Sequence, residues 1–140
     1  MENSIHLHYE VDGDDFTRAG EASSDVKHKL KKLNVPSDAI RRIAIAMYEG
    51  EINMVAHADG GVIDVDIYAD KLTMVLNDVG PGISDVSLAI QEGYSTASQE
   101  VRSLGFGAGM GLPNMKKSSD EMTIETEVGV GTKITMTVNY

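Results

Sequence analysis

The stretch AIAMYEGEINMVAHADGGVIDVDIYADKLTMVL, residues 44–76, changes its hydrophobic period part-way along, and the fold follows from that change. Up to His57 the apolar residues recur at helical spacing. Ile40, Ile43, Met47 and Met54 fall on one side, and Ile45, Tyr48, Ile52 and Val55 on another. A segment apolar on two sides reads as a largely buried helix, here over 37–57, with Gly60-Gly61 closing it. The period then drops to two. Val62 to Tyr68 alternates apolar and polar, Ala69-Asp70-Lys71 is a tight turn, and Leu72 to Leu76 is the returning strand of a hairpin.

Upstream, Ile5 to Val11 alternates as a half-buried strand, and Asp12 to Asp15 is a turn. Phe16 to Leu33 reads as a helix with Ala19, Ala22, Val26 and Leu30 on one face, ended before Pro36. Downstream, Asn77 to Gly82 is a turn-rich loop, Asp85 to Gln91 a short helix, and Gly93 to Gly111 a polar, glycine-rich stretch. Leu112 to Ser118 is a further helix. Met122 to Val128 and Lys133 to Val138 are strands about the turn Gly129-Val130-Gly131. Helices cluster early and strands pair with sequence neighbours. The expected class is α+β: a two-layer sandwich with helices on one face of a mixed, mostly antiparallel sheet, residues 1–140 forming one domain.

Composition narrows the function. The formal charge is −10, with 12 basic against 22 acidic residues, which argues against binding nucleic acid or an anionic membrane directly. A small anion held by backbone N–H groups remains compatible with that charge. There is no cysteine, so there is no disulfide, thiolate nucleophile or cysteine metal site. No apolar run approaches the length of a membrane span, and MENSIHLHYE does not read as a signal peptide, so a cytoplasmic location is expected. The methionines beyond the first read as core fillers.

Glu49, Asn53 and His57 share one face of the long helix at i, i+4 and i+8. That face is either a solvated or structural one, or it lines a ligand cavity. In the second reading the Asn53 amide oxygen suits a hard cation such as Mg²⁺ bound with substrate phosphates, and Glu49 suits a general base beside it. Gly50 costs about 1 kcal/mol in a helix interior, which makes sense if something packs closely there. Glu51 is expected to point to solvent, and His57 to be a structural or surface histidine.

Three glycine loops remain: Asn77-Asp78-Val79-Gly80-Pro81-Gly82, the run Gly105 to Gly111, and Gly129-Val130-Gly131-Thr132. The first alone is a turn more often than a site and the third alone is a hairpin turn, whereas the second leads toward a helix and its backbone N–H groups make an anion site. Together, and in this order, YEGEINMVAHA (48–58), NDVGPGI (77–83), GFGAGMGL (105–112) and GVGTKI (129–134) resemble the Bergerat-fold, or GHKL, ATP-binding superfamily. EGYSTASQ (92–99) and the compact size are similar to its anti-sigma factor and switch-protein serine/threonine kinase branch.

That resemblance implies ATP and Mg²⁺ as cofactors, Glu49 as general base and Asn53 as Mg²⁺ ligand. It implies Asp78 as acceptor of the adenine amino group, with Gly80 and Gly82 letting the backbone pass close to the base. Gly105, Gly107, Gly109 and Gly111 match the phosphate-facing loop, with Met110, Gly111 and Leu112 opening the next helix. Thr132 matches a hydroxyl near the adenine. Arg102 either reaches the γ-phosphate or is a solvated loop residue. The implied activity is transfer of the γ-phosphate to a Ser or Thr of a small, anti-anti-sigma-like partner. The alternatives are an ATP/ADP-dependent switch that sequesters a partner, and a bare ATPase within a larger assembly. A sigma factor and a second copy of the chain are further partners that the branch implies.

Overall fold

In a computed structural model, residues 4–13, 18–57, 59–80 and 111–140 are described. The elements are β1 (Ile5–Asp12), α1 (Glu21–Lys32), α2 (Ser37–His57), β2 (Gly60–Ile67), β3 (Lys71–Asp78), α3 (Gly111–Ser118), β4 (Glu121–Glu127) and β5 (Gly131–Asn139). The strands form one sheet in the order β1-β2-β3-β5-β4. Every pairing among them is antiparallel, so the parallel component of the expected mixed sheet is absent from the described strands.

Alternation along each strand divides the sheet into two faces. Leu7, Val65, Met74, Met136 and Met122 align across it on the face toward the helices, followed by Tyr9, Ile63, Leu76, Ile134 and Ile124. Ile43, Met47 and Met54 of α2 join these rows in the core. Each such fully buried side chain contributes roughly 1.5–3 kcal/mol. Met47, Met54, Met74, Met115 and Met136 are all buried, in keeping with their reading as core fillers. The opposite face carries His6, His8, Asp64 and Asp66 at one edge and Thr73, Thr135 and Thr137 nearer the other.

The long helix α2 runs between the other two, contacting α1 on one side and α3 on the other. Its bounds match the sequence reading. Gly50 lies where α2 meets the sheet: a Cβ there would come within 2.2 Å of the Leu76 side chain and 3.4 Å of Met115 Sδ. The close neighbour anticipated at Gly50 is therefore the core itself.

The first helix departs from expectation. It starts at Glu21, because Gly20 sits at φ 97 and ψ −8, a left-handed conformation in which a helix cannot continue. Ala19 therefore lies before the helix, and residues 14–17 are outside the described set. At its other end Asn34 takes φ 59, and the N–H groups of Asn34 and Val35 donate to the carbonyls of Lys31 and Leu30. This closed end fixes the reversal into α2.

Glu51 contradicts the sequence reading outright. It is 2% exposed, and its carboxylate accepts the backbone N–H groups of Gly20, Ala22 and Ser23. A helix that is buried on most sides leaves a carboxylate no route to water, and the starting turn of α1 supplies the donors it needs.

Candidate functional site

Two groups of predicted site residues come together, on separate elements. The first lies where α2 meets α3. Glu49 and Asn53 are one helical turn apart, both half-buried. The Asn114 amide, in the first turn of α3, donates through Nδ2 to Glu49 Oε1 at 3.2 Å. Gly111 opens α3 directly against Asn53: a Cβ at this position would fall 2.9 Å from Asn53 Oδ1 and 3.1 Å from Nδ2. The last glycine of the loop is thus bare because the Asn53 amide occupies the space. Leu112 turns into the core, so only its backbone faces the start of the helix. A helix start offers N–H groups without intrahelical partners and a positive dipole end, a combination that favours anions.

The second group lies at the end of the sheet where β3 finishes and β5 begins. Asp78 Oδ1 accepts the Thr132 backbone N–H at 2.8 Å. Burial raises the Asp78 carboxyl above the usual carboxylate range, and the hydrogen bond from Thr132 pulls in the other direction. Thr132 is buried, and its hydroxyl lies 2.9 Å from the Thr126 hydroxyl. Gly131 is at φ 150, and a Cβ there would meet the Asp78 carbonyl oxygen at 2.2 Å, so no side chain fits. Gly80 donates its N–H to the Val130 carbonyl at 3.3 Å, joining the loop after β3 to the β4–β5 turn. Val79 and Val130 are exposed beside these polar groups. A half-buried carboxylate with two exposed valines nearby offers a hydrogen-bond acceptor beside apolar surface.

No described contact bridges the two groups. Gly82, Arg102, Gly105, Gly107, Gly109 and Met110, and the expected helix over 85–91, lie outside the described residues. His57 ends α2, and its side chain is likewise outside them. The sequence reading missed Asn114, whose signal is a polar residue directly after Gly111-Leu112-Pro113 in the first turn of the short helix that follows the glycine run. It also missed the burial of Glu51, signalled by an acidic residue on a segment apolar on two sides.

The two oxygen donors on α2, the Glu49 carboxylate and the Asn53 amide, suit a hard divalent cation, and the start of α3 against Asn53 suits the anion such a cation would accompany. Asn53 would hold such an ion beside Glu49, leaving the remaining positions for phosphate and water.

The chain is similar to several known proteins. The serine/threonine-protein kinase RsbT of Bacillus subtilis is 33% identical over 112 residues, covering 77% of this chain and 78% of its own length. An Anti-sigma F factor of Caldanaerobacter subterraneus is 34% identical over 101 residues, or 72% of this chain; the match spans 63% of that relative's length. One from Geobacillus stearothermophilus aligns over the whole chain at 24% identity. A crystal structure of RsbU and RsbW domains from Mycobacterium tuberculosis superposes with a TM-score of 0.61 over 96% of this chain and 32% of that one, at 16% identity, which establishes likeness of fold. A family profile, "Histidine kinase-, DNA gyrase B-, and HSP90-like ATPase", matches residues 39–140, from α2 to the final residue and so across both groups of site residues. The chain belongs to this ATPase family.

Proposed function

We propose that the protein is an ATP-binding regulator of the anti-sigma and switch-kinase kind that passes the γ-phosphate of ATP to a serine or threonine of a small partner protein. The observation that carries this reading is the Glu49–Asn53 pair on α2, with the Asn114 amide directed at the Glu49 carboxylate. A protein that only bound nucleotide would need no oriented carboxylate there. The relative named as a serine/threonine-protein kinase supports the same reading.

Asp78 accepts the adenine amino group, while Thr132 holds the carboxylate through its backbone N–H. The start of α3 at Gly111 faces the phosphates with its backbone N–H groups. Glu49 takes the proton from the partner's hydroxyl as that oxygen bonds to the γ-phosphorus. The bond from the γ-phosphorus to the bridging β–γ oxygen breaks, and ADP leaves. Asn53 would hold Mg²⁺, which when bound would supply neutralisation of the phosphate charge. The rest is positioning, in a chain whose net charge of −10 supplies little attraction of its own. No described helix is long and apolar enough to cross a membrane, and we place the protein in the cytoplasm with its partner.

A second reading is favoured by the relatives named anti-sigma factors: nucleotide state alone governs capture of a partner, without transfer. Incubation with γ-labelled ATP, Mg²⁺ and small proteins encoded by neighbouring genes separates the two. Label on a partner's Ser or Thr is the expected result. Tight nucleotide binding with no labelled partner and no phosphate release favours the switch.

A further inference from the structure

Among the described residues Glu51 is the one buried charged side chain, and it has no place in the chemistry above. Its Oε2 accepts the Gly20 and Ala22 N–H groups at 2.9 and 3.2 Å, and its Oε1 accepts that of Ser23 at 3.1 Å. The first turn of α1 has no side-chain cap of its own, so its N–H groups are satisfied by a residue of another helix. The carboxylate also lies at the positive end of the α1 dipole.

Glu51 is two residues from Glu49 and two from Asn53, so at about 100° per residue it leaves the opposite side of α2 at the same level. On that side three bonds tie α2 to α1. On the other, Asn114 reaches Glu49 and Gly111 abuts Asn53. A turn of α2 about its own axis that displaced Glu49 or Asn53 would break the Glu51 bonds or carry the start of α1 with it.

We propose that Glu51 is a positioning residue: by anchoring α2 to the first turn of α1, it fixes the angle at which Glu49 and Asn53 face the nucleotide and couples the start of α1 to the transfer step. This inference rests on the function proposed above. It acts through Glu49 and Asn53, and Glu51 itself touches no substrate.

The two ends of the link are tested separately. Glu51→Gln keeps the shape but replaces one acceptor oxygen with an N–H donor facing a backbone donor. Gly20→Ala strains the other end, because φ 97 disfavours a side chain and the new Cβ would sit 3.2 Å from the Tyr48 ring. Three quantities are measured at a temperature where circular dichroism shows each variant folded. They are affinity for Mg·ATP by calorimetry, the saturated rate of transfer to the acceptor found by labelling, and amide exchange at Gly20, Ala22 and Ser23 with and without Mg·ADP.

The expected result for each single variant is affinity within about threefold of wild type and a saturated rate at least tenfold lower, since small misplacement of reacting groups is costly. The double variant is no slower than the worse single variant, because both cut one link. Mg·ADP slows exchange at these amides in wild type and not in Glu51→Gln. Folded Glu51→Gln that transfers at the wild-type rate overturns the proposal. Wild type that binds nucleotide without transferring phosphate defeats the kinase reading alone. The coupling then stands if nucleotide protects the α1 amides only when Glu51 is present, and falls if it does not. Wild type that binds no nucleotide overturns both.

Discussion

At the scale of single residues, the function proposed above divides the site into groups that would act on phosphate and groups that would act on the base. Removing Glu49 as Glu49→Ala should leave nucleotide affinity within a few-fold and lower phosphate transfer by roughly 10²–10⁴-fold, the usual contribution of a positioned general base. Parallel calorimetry and transfer assays read the two effects apart. Asn114→Ala removes the donor that orients the same carboxylate, and should slow transfer about tenfold with affinity preserved. Asp78 brings a pH dependence with a definite sign. Its folded-state pKa is raised by burial, so stability linked to it is greatest below the ordinary aspartate pKa and is lost as pH rises through the folded value. Binding runs the other way: protonation turns an acceptor into a donor, so adenine affinity should fall on acidification at a pH above the ordinary aspartate range. Titrations of Mg·ADP affinity against pH, wild type beside Asp78→Asn, check this. The variant should bind more weakly throughout and show little of that dependence.

At the scale of elements, the sequence disclosed what repeats and concealed what meets across the fold. The 3.6-residue period over 37–57 and the alternation in each strand set α2 and the hairpins to within a residue or two. These patterns depend only on which face is buried. The start of α1 was misread because apolar spacing continues through Ala19, whereas the break is imposed by one glycine at positive φ. Glu51 was misread because its donors come from residues 20–23, about 30 positions earlier, and no local pattern announces a partner at that distance. Asp78 and Thr132 were legible as parts of glycine motifs, yet the bond between them is a tertiary fact. Gly131 makes the β5 start testable. Gly131→Ala sets a Cβ against the Asp78 carbonyl, and backbone cannot yield as a side-chain tip can. Strain of about 1–3 kcal/mol is expected, read as a lower melting temperature, together with weaker nucleotide binding as Thr132 shifts from Asp78.

The edge strand β1 offers a second test at this scale. His6 Nδ1 lies 2.9 Å from Asp66 Oδ1, and His8 Nδ1 lies 2.6 Å from Asp64 Oδ1, pinning β1 to β2 from the open face. The Asp66 hydrogen bond holds His6 above its usual pKa, so its contribution is full below the ordinary histidine value and disappears as pH rises through the folded one. The His8 hydrogen bond holds Asp64 below the usual carboxylate range, so that contribution is lost only in acid, as pH falls through its lowered value. His6→Ala should therefore lower the melting temperature in mildly acidic buffer and leave it nearly unchanged at pH well above neutrality. Both side chains are largely solvated, so the shift should be small.

At the scale of the whole molecule, one central helix serves both layers of the design. Its sheet-facing side closes the core, one flank anchors α1, and the other presents Glu49 and Asn53 to α3. In the proposed reading the adenine-side groups, Asp78 and Thr132, sit where the interior strands β3 and β5 end and begin. A chain with net charge −10 can accept a polyphosphate on this plan because backbone N–H groups and a cation, and not a basic surface, meet the charge. The central claim is that these parts form one magnesium-dependent adenine-nucleotide site, and titration calorimetry tests it most directly. ATP added to the purified protein with Mg²⁺ should bind one to one, compete with ADP, weaken sharply when the metal is chelated, and far exceed GTP in affinity. Heats no greater than dilution, or equal affinity for ATP and GTP with and without the metal, would contradict it.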